Sequence, residues 1–219
     1  MNFWFKFYPA IFIFVAGCAT VEPYNYQALI NEAPRSILVI PPINNSVDVN
    51  ASYTYLSTVT QPLAEKGYYV FPVSVIDSFL KENGLPTPAE MNSISLDKIH
   101  EHIGADAVLY VTIDNWGQEY QVLSSVTVVQ GYARLVSVKT GEILWDAPIV
   151  AKQSSNNGNQ GLIGALVSAA ITQIAGNVTD YTPAVSRLAN NVAFNSAKRG
   201  LLNGPYKLKL RSHFLESSN

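Results

Sequence analysis

The sequence predicts an α/β fold: a mixed β-sheet with a βαβ-type N-terminal half and antiparallel hairpins, packed by helices. Two observations support this class. Three short, continuously apolar runs are separated by segments of helical periodicity, and parallel neighbouring strands need crossovers of that kind. Farther along, β-rich segments follow one another through tight turns without helices between them. We therefore expect parallel pairing at the start of the sheet and antiparallel pairing afterwards.

The first half alternates strands with helices. The three buried strands are expected at Ile37–Ile40, Tyr68–Phe71 and Ala107–Ile113. The first helix should pack through residues that recur at three- and four-residue steps, Tyr53, Leu56, Val59 and Leu63, and Pro62 should kink or shorten it. A second helix, capped by Ser74, should bury Val75, Ile76, Phe79 and Leu80. A third, capped by Ser95, should bury Leu96, Ile99 and Ile103.

The second half is expected to form strands at Tyr120–Gln130, Tyr132–Val138 and Glu142–Ala151. Gly141 should take a left-handed conformation in the turn before the last of these. A final helix over residues 183–198 should bury one side through Val185, Leu188 and Val192, with Ala189 and Phe194 as further candidates. Residues 162–175 are too short to span a membrane, so they predict a core helix or, alternatively, a helix apposed to a membrane or an oligomer interface.

The N-terminus carries the most specific signal. Lys6 and the apolar stretch 7–15 match a secretory signal, and Val15-Ala16-Gly17-Cys18 looks like the lipobox of bacterial lipoproteins. Cys18 is the only cysteine, so it has no disulfide partner within the chain. We expect cleavage between Gly17 and Cys18, a diacylglycerol on the thiol and a fatty acid such as palmitate on the new amino terminus. The alternative is an ordinary cleaved signal that leaves Cys18 as a free thiol.

Composition divides the chain into four parts. Residues 1–17 are the expected signal peptide, 18–34 a lipidated tether, 35–199 a single α/β domain and 200–219 a basic C-terminal tail. The formal net charge of −2 argues against a nucleic-acid-binding protein. Between Tyr181 and Arg211 the chain nevertheless holds six basic residues and no acidic ones, namely Arg187, Lys198, Arg199, Lys207, Lys209 and Arg211. They either complement a helix dipole and solvate a tail, or form a surface for an acidic partner or anionic lipid.

No pattern indicates catalysis, a metal or a cofactor. His100 and His102 lie about 200° apart on a helix and cannot grip one metal ion, and His213 is isolated. Asp106, Asp114 and Asp146 stand at strand edges, and Asp114 with Asn115 is expected to begin a turn. Gly158, Gly161 and Gly164 follow a polar loop and lack the Lys-Ser/Thr pair of a phosphate loop, so they indicate a flexible connector.

Several blocks together resemble a known family. Besides the lipobox they are residues 34–42, residues 65–73, residues 103–110 and residues 135–145. They are similar to outer-membrane lipoproteins of unassigned function typified by a meningococcal vaccine candidate. The resemblance implies a fold similar to the N-terminal domain of TolB. It also implies an accessory role beside a lipoprotein similar to the curli secretion channel, without pore formation by this chain.

Three functions are compatible with these observations. The first is a non-enzymatic lipoprotein anchored in the outer membrane, facing the periplasm, which docks onto other envelope lipoproteins or forms a homo-oligomer. The second is a regulator that binds a peptidoglycan synthase, which a much longer tether would favour. The third is an envelope hydrolase, which turnover abolished by Asp114→Ala would support. Ala19 at the second mature position implies sorting to the outer membrane by the same resemblance.

Overall fold

The computed structural model describes residues 22–121, 124–154 and 180–207, and it confirms the mixed α/β class. The strands are β1 (Ser36–Val39), β2 (Ile43–Asn44), β3 (Tyr69–Val70), β4 (Ala107–Gln121), β5 (Ser124–Ser137) and β6 (Ile143–Ser154). The described helices are α1 (Gln27–Glu32), α2 (Ala51–Glu65), α3 (Val73–Glu82), α4 (Pro88–Met91), α5 (Leu96–His102) and α6 (Thr182–Phe194). The strand order is β3-β1-β4-β5-β6, and β2 pairs farther along β4.

The sheet changes from parallel to antiparallel at β4, as predicted. β1 pairs in parallel with β3 and β4, whereas β4, β5 and β6 pair antiparallel. The chain crosses the sheet in opposite directions from β1 to β3 and from β3 to β4. Because crossovers are right-handed, the intervening helices must lie on opposite faces. One core cluster accordingly joins α2 and α6 to the sheet, and a second joins α3, α4 and α5 to the other face.

The buried faces of two helices, α2 and α3, differ from the predicted ones. Tyr53 is 42% exposed, and Tyr55, only 1% exposed, takes its place in the core beside Leu56, Val59 and Leu63. Pro62 lies in the last turn, and α2 ends three residues later. In α3, Ile76 and Leu80 are buried as expected, but Val75 and Phe79 are exposed. The described helices on that face cover β1 and the start of β4, so only a narrow stripe of α3 has sheet to pack against.

The predicted serine caps are also corrected. α3 begins at Val73, before Ser74, with Pro72 at the N-cap position and no side-chain cap. Pro72 has no side-chain acceptor, and the Val75 N–H donates to the Pro72 main-chain carbonyl at 3.1 Å instead. Ser95 does occupy the N-cap position of α5, but its side chain accepts no cap hydrogen bond.

The antiparallel strands are longer than predicted. The expected break near residue 131 is absent, and β5 continues through Gly131. A β-bulge, not a turn, occurs at Ile113 and Asn115, so β4 passes the expected stop at Asp114 and ends at Gln121. The turn between β5 and β6 does contain Gly141 at φ 75°, as predicted. On one face of β5 and β6 the side chains are solvent-exposed; we call Gln130, Tyr132, Arg134, Pro148, Val150 and Lys152 the open face.

The folded body extends beyond both expected boundaries. α6 ends at Phe194 instead of residue 198 and buries Val185, Ala189 and Phe194, while Val192 is exposed. Residues assigned to the tether form α1, whose Leu29 is 3% exposed, and residues assigned to the tail include Leu201 at 2%. Apolar side chains in both segments reach the core, which is why they are part of the fold. The helix candidate at 162–175 lies outside the described residues, as do Gly158, Gly161 and Gly164.

Candidate functional site

Asp146 on the edge strand β6 connects the two ends of the described chain. The Tyr24 hydroxyl donates to Asp146 Oδ1 at 2.8 Å, and Arg199 lies 2.5 Å from Asp146 Oδ2. The Tyr132 hydroxyl donates to the same carboxylate. We call Tyr24, Tyr132, Asp146 and Arg199 the latch. It fastens the N-terminal segment and the segment after α6 to one point of the sheet.

Neighbouring contacts reinforce the latch. The Arg199 guanidinium stacks over the Tyr24 ring, 4.7 Å from its centroid, a favourable cation–π arrangement. The Tyr26 hydroxyl donates to the Gly200 carbonyl at 2.6 Å, and Trp145 Nε1 donates to the Arg199 carbonyl at 2.8 Å. Residues 24–26 and 199–200 are thus held by both side-chain and main-chain groups.

The latch keeps its charge state at neutral pH. Burial, and then the hydrogen bond to Asp146, raise the pKa of Tyr24 above its usual value, so the hydroxyl stays protonated and can donate. The hydrogen bond to Asp146 raises the pKa of Arg199 as well. Tyr24 and Arg199 therefore both remain hydrogen-bond donors at neutral pH.

The latch also occupies the backbone of the sheet edge. The Asp146 N–H donates to the Tyr24 hydroxyl at 3.1 Å, and Arg199 Nε donates to the Asp146 carbonyl at 2.7 Å. Two residues later, Pro148 has no N–H to offer. Both devices remove groups with which an additional strand would pair along β6.

The structure separates the basic residues that the sequence grouped. Arg199 serves the latch, whereas Lys198 is exposed and forms no ion pair within the described part of the chain. Arg187 is half-buried on α6, and Lys207 lies against Gly67, beside Lys66. Burial and the charge of Lys207 lower the pKa of Lys66. Lys209 and Arg211 lie outside the described residues, so a shared partner surface for these cations stays a prediction.

The three carboxylates singled out in the sequence are not brought together. Asp106 Oδ2 accepts from the N–H groups of Arg35 and Ser36 at 2.8 and 2.9 Å and so fixes the start of β1. Asp114 is exposed beside the β-bulge, and Asp146 belongs to the latch. His100 and His102 are exposed on α5. Within residues 22–121, 124–154 and 180–207, no group of three His, Cys, Asp or Glu side chains is arranged to hold a metal ion.

A cleft that the sequence did not reveal opens where the helical layer ends against the sheet. Its volume is ≈ 300 Å³, and it is lined by Ile43, Asn92, Tyr110, Val111, Thr112, Arg134 and Val136. We call it the Arg134 cleft. Tyr110 and Arg134 are direct neighbours across β4 and β5, and Ile43 neighbours Thr112 across β2 and β4. Asn92 holds the rim by donating to the Pro41 carbonyl at 2.8 Å.

Two polar side chains of this cleft, Tyr110 and Arg134, lack side-chain partners within the described part of the protein. Neither the Tyr110 hydroxyl nor the Arg134 guanidinium makes a side-chain hydrogen bond or ion pair with the described part of the protein. Burial raises the pKa of Tyr110, so its hydroxyl remains a donor at neutral pH. An arginine on an exposed strand position carries no sequence signal of its own, which explains why only the folded sheet identifies it.

Comparison with known proteins identifies the family. A family described as "Putative lipoprotein GNA1162-like" matches residues 24–206. The chain belongs to this family. Within it, the "Putative lipoprotein NMB1124/NMB1162" of Neisseria meningitidis serogroup B is 43% identical over 183 residues, covering 83% of this chain and 85% of that protein. The resemblance seen in the sequence is therefore confirmed.

One solved structure agrees with the fold. The crystal structure of lipoprotein GNA1162 from Neisseria meningitidis is 46% identical, has a TM-score of 0.55 and covers 65% of this chain and 99% of that one. The PelC dodecamer of Paraburkholderia phytofirmans is 12% identical at a TM-score of 0.40, covering 73% of this chain and 87% of that one, which is too distant to support an inference. No described helix combines the length and apolarity needed to cross a membrane.

Proposed function

We propose that this protein is anchored in the outer membrane, faces the periplasm and acts as a non-enzymatic docking subunit of a cell-envelope assembly. Cleavage between Gly17 and Cys18 leaves Cys18 as the first mature residue, which carries the diacylglycerol. Support comes from the lipobox in the sequence and from membership of a lipoprotein family. A three-chain anchor holds a protein far more stably than a single acyl chain does.

The latch is the observation that carries the proposal. Tyr24 follows Cys18 by six residues, and six residues of fully extended chain reach about 20 Å at most. The latched end of the sheet is therefore held close to the membrane surface whenever Cys18 is lipidated. A subunit restricted in this way suits a partner that is itself at the membrane, such as another envelope lipoprotein.

Regulation of a peptidoglycan synthase is the second candidate, and the latch disfavours it. A lipoprotein that crosses the cell-wall mesh to a synthase needs a long free tether. Residues 24–32 pack on the body, which shortens the stretch expected at 18–34. The folded domain, and not the tether, would then have to span the distance to the synthase.

Anchoring is tested by metabolic labelling with palmitate. We expect the wild-type chain to incorporate the label and to fractionate with outer membranes, and the Cys18→Ser chain to lose both properties. An unlabelled wild-type chain, or unchanged fractionation of Cys18→Ser, would contradict the anchor.

Docking is tested by photo-crosslinking in intact envelopes. A crosslinking residue at Val150 on the open face is compared with one at Val192 on α6, because these valines have similar exposure, 43% and 47%. We expect a discrete adduct from Val150 that Val192 does not give, and mass spectrometry identifies it. A channel-like lipoprotein supports the proposal, as does a second copy of this chain, whereas a cell-wall synthase supports the second candidate. Identical adduct patterns from both positions would argue against docking through the open face.

A further inference from the structure

We propose that the Arg134 cleft binds the C-terminal carboxylate of a partner polypeptide whose last residue is aliphatic. This inference deepens the proposed docking function and rests on it for the presence of a partner. The occupant is defined by three features of the cleft: an unpaired cation, an unpaired hydroxyl donor and an apolar wall.

The unpaired cation is explained by the latch. Asp146 is the cross-strand neighbour of Arg134 on β6, and it would be the obvious partner. Its carboxylate is instead occupied by Tyr24, Tyr132 and Arg199. Arg134 therefore presents a guanidinium with donors in a fixed planar arrangement, which suits the two oxygens of a carboxylate.

The second donor stands beside it. Tyr110 pairs directly with Arg134 across the two strands, and both residues line the same cleft. A carboxylate that accepts from both groups gains charge-assisted hydrogen bonds, which are roughly twice as strong as neutral ones. It would also satisfy a phenol that the described part of the protein leaves without a partner.

The apolar wall of the cleft favours a C-terminal residue over an internal acidic one. Val136 lies on the same face two residues from Arg134, about 7 Å along the strand, and Ile43 is 39% exposed at the other side of the cleft. A C-terminal residue carries its carboxylate and its side chain on one Cα, so an aliphatic one reaches both features at once. An internal glutamate supplies the charge without placing an apolar group beside it.

The test is an NMR titration of the unlipidated mature chain, residues 18–219 with Cys18→Ser. Both core clusters lie within residues 22–207, so this chain retains the whole described fold. The probes are N-acetyl-alanyl-alanyl-leucine, the same peptide as its C-terminal amide, and N-acetyl-alanyl-glutamyl-leucinamide. We expect the free acid to bind at least tenfold tighter than either amide and to shift the amide resonances of Tyr110, Arg134 and Val136.

Variants of the protein distinguish binding in the cleft from nonspecific attraction of the peptide to positive charge. Arg134→Gln should remove the preference for the free acid, and Tyr110→Phe should weaken free-acid binding several-fold. Lys152→Gln removes a cation from the same open face but outside the cleft, and it should change nothing. Thermal unfolding of each variant checks that the fold is retained, as expected for Arg134, whose side chain has no described partner.

The outcomes distinguish this inference from the proposed function. Equal binding of acid and amide, unchanged binding by Arg134→Gln, or equal binding of the glutamyl peptide would overturn the cleft proposal. These measurements use unlipidated protein, so they hold whether or not palmitate labels Cys18. Failed labelling with intact peptide selectivity would contradict the anchor alone.

Discussion

Tyr55 brings a polar contact into the interface between α2 and α6. It is 1% exposed, and its hydroxyl donates to Asn190 Oδ1 at 2.8 Å. One turn along, the hydroxyls of Thr58 and Ser186 lie 2.7 Å apart. Buried polar groups are costly unless they are paired, so these contacts favour one alignment of the two helices over others.

Removing the Tyr55 hydroxyl should destabilise the fold. Tyr55→Phe leaves the side-chain Oδ1 of Asn190 buried without its donor, and we expect the free energy of unfolding to fall by about 1–3 kcal/mol. Urea denaturation measures the change. Tyr69→Phe is the matched control because Tyr69 is 49% exposed on β3, and it should leave stability within about 0.5 kcal/mol of wild type. Similar losses in both variants would contradict the role assigned to the buried hydroxyl.

The same residue predicts an alkaline limit to stability. Burial raises the pKa of Tyr55 in the folded state far above the value of about 10 in the unfolded chain. The native state then binds more protons, so stability is fully present below pH 10 and falls as the pH rises above it. Urea midpoints measured from pH 9 to 11.5 should decline less steeply for Tyr55→Phe than for wild type. Parallel declines would show that Tyr55 ionises normally in the native state.

Among the elements, α1 depends on the latch to stay on the body. Its described anchors are Leu29 in the core, Glu32, whose carboxylate accepts from the Ser137 hydroxyl at 3.2 Å, and the hydroxyls of Tyr24 and Tyr26 just before it. With only six residues, α1 is too short to be stable alone. The latch therefore decides whether this helix belongs to the domain or to the tether.

Breaking the ion pair should release α1 locally. Arg199→Gln is expected to cost roughly 0.5–1 kcal/mol of global stability, because its side chain is 39% exposed and such pairs are weak. The larger effect is faster hydrogen exchange at the Ile30 and Ala33 amides, which donate to the Tyr26 and Leu29 carbonyls. Lys198→Gln is the neighbouring control and should leave exchange unchanged. Unaltered exchange in Arg199→Gln would show that the remaining contacts hold the helix without the ion pair.

Because β4 packs closely against β5, we expect that Gly131 cannot be replaced by a larger residue without a loss of stability. A Cβ at Gly131 would clash with the backbone carbonyl of Thr112. We expect Gly131→Ala to lower the free energy of unfolding by about 1–3 kcal/mol, measured by urea denaturation. Gln130→Ala changes the adjacent exposed position and should be nearly neutral. Equal stability of Gly131→Ala and wild type would mean that the strands can separate locally at no cost.

Element positions were more predictable from the sequence than their boundaries and faces. Continuous apolar runs identified β1 and the start of β4, which are buried on both faces. The ends of β4 and β5 were missed because the bulge at Ile113 and Asn115 permits a strand to pass a polar pair that resembles a turn. The sequence does not identify Tyr55 as a core residue because the acceptor of its buried hydroxyl, Asn190, lies 135 positions away.

Considered as a whole, the molecule has both described ends at the same end of the sheet. Tyr26 bonds to Gly200, and four residues later the Gly204 N–H donates to the Lys66 carbonyl at 2.8 Å. Leu201 is buried, and the Tyr68 hydroxyl donates to the Leu202 carbonyl at 2.9 Å. The segment 200–207 therefore acts as part of the domain, although its composition suggested a tail.

Truncation tests that boundary. A chain ending at residue 207 should keep the wild-type thermal midpoint, because the described contacts are all present. A chain ending at residue 199 loses Leu201, whose burial alone is worth about 1.5–3 kcal/mol, together with the main-chain bonds to Lys66 and Gly67. Its midpoint should fall by several degrees in a thermal melt. Equal thermal midpoints for the two chains would show that residues 200–207 do not stabilise the domain.

The candidate sites were much less accessible to sequence reasoning than the fold class. The alternation of strands with helices and the spacing of the crossovers are local patterns, so they can be read from a single sequence. The latch joins Tyr24 to Asp146 across 122 positions and Arg199 to Asp146 across 53. Arg134 is left without an ion pair because those contacts occupy the neighbouring carboxylate of Asp146. Sites produced by such indirect competition leave no motif in the sequence.

Proteins tethered to a bilayer diffuse in two dimensions and reach a high local density. At that density, an exposed edge strand can pair with the edge strand of a neighbouring copy. Here the outward N–H and C=O of Asp146 are already engaged by Tyr24 and Arg199, and Pro148 withholds a further donor. Under the anchoring proposed at Cys18, the contact that keeps the domain close to the membrane also limits the extension of the sheet by neighbouring copies.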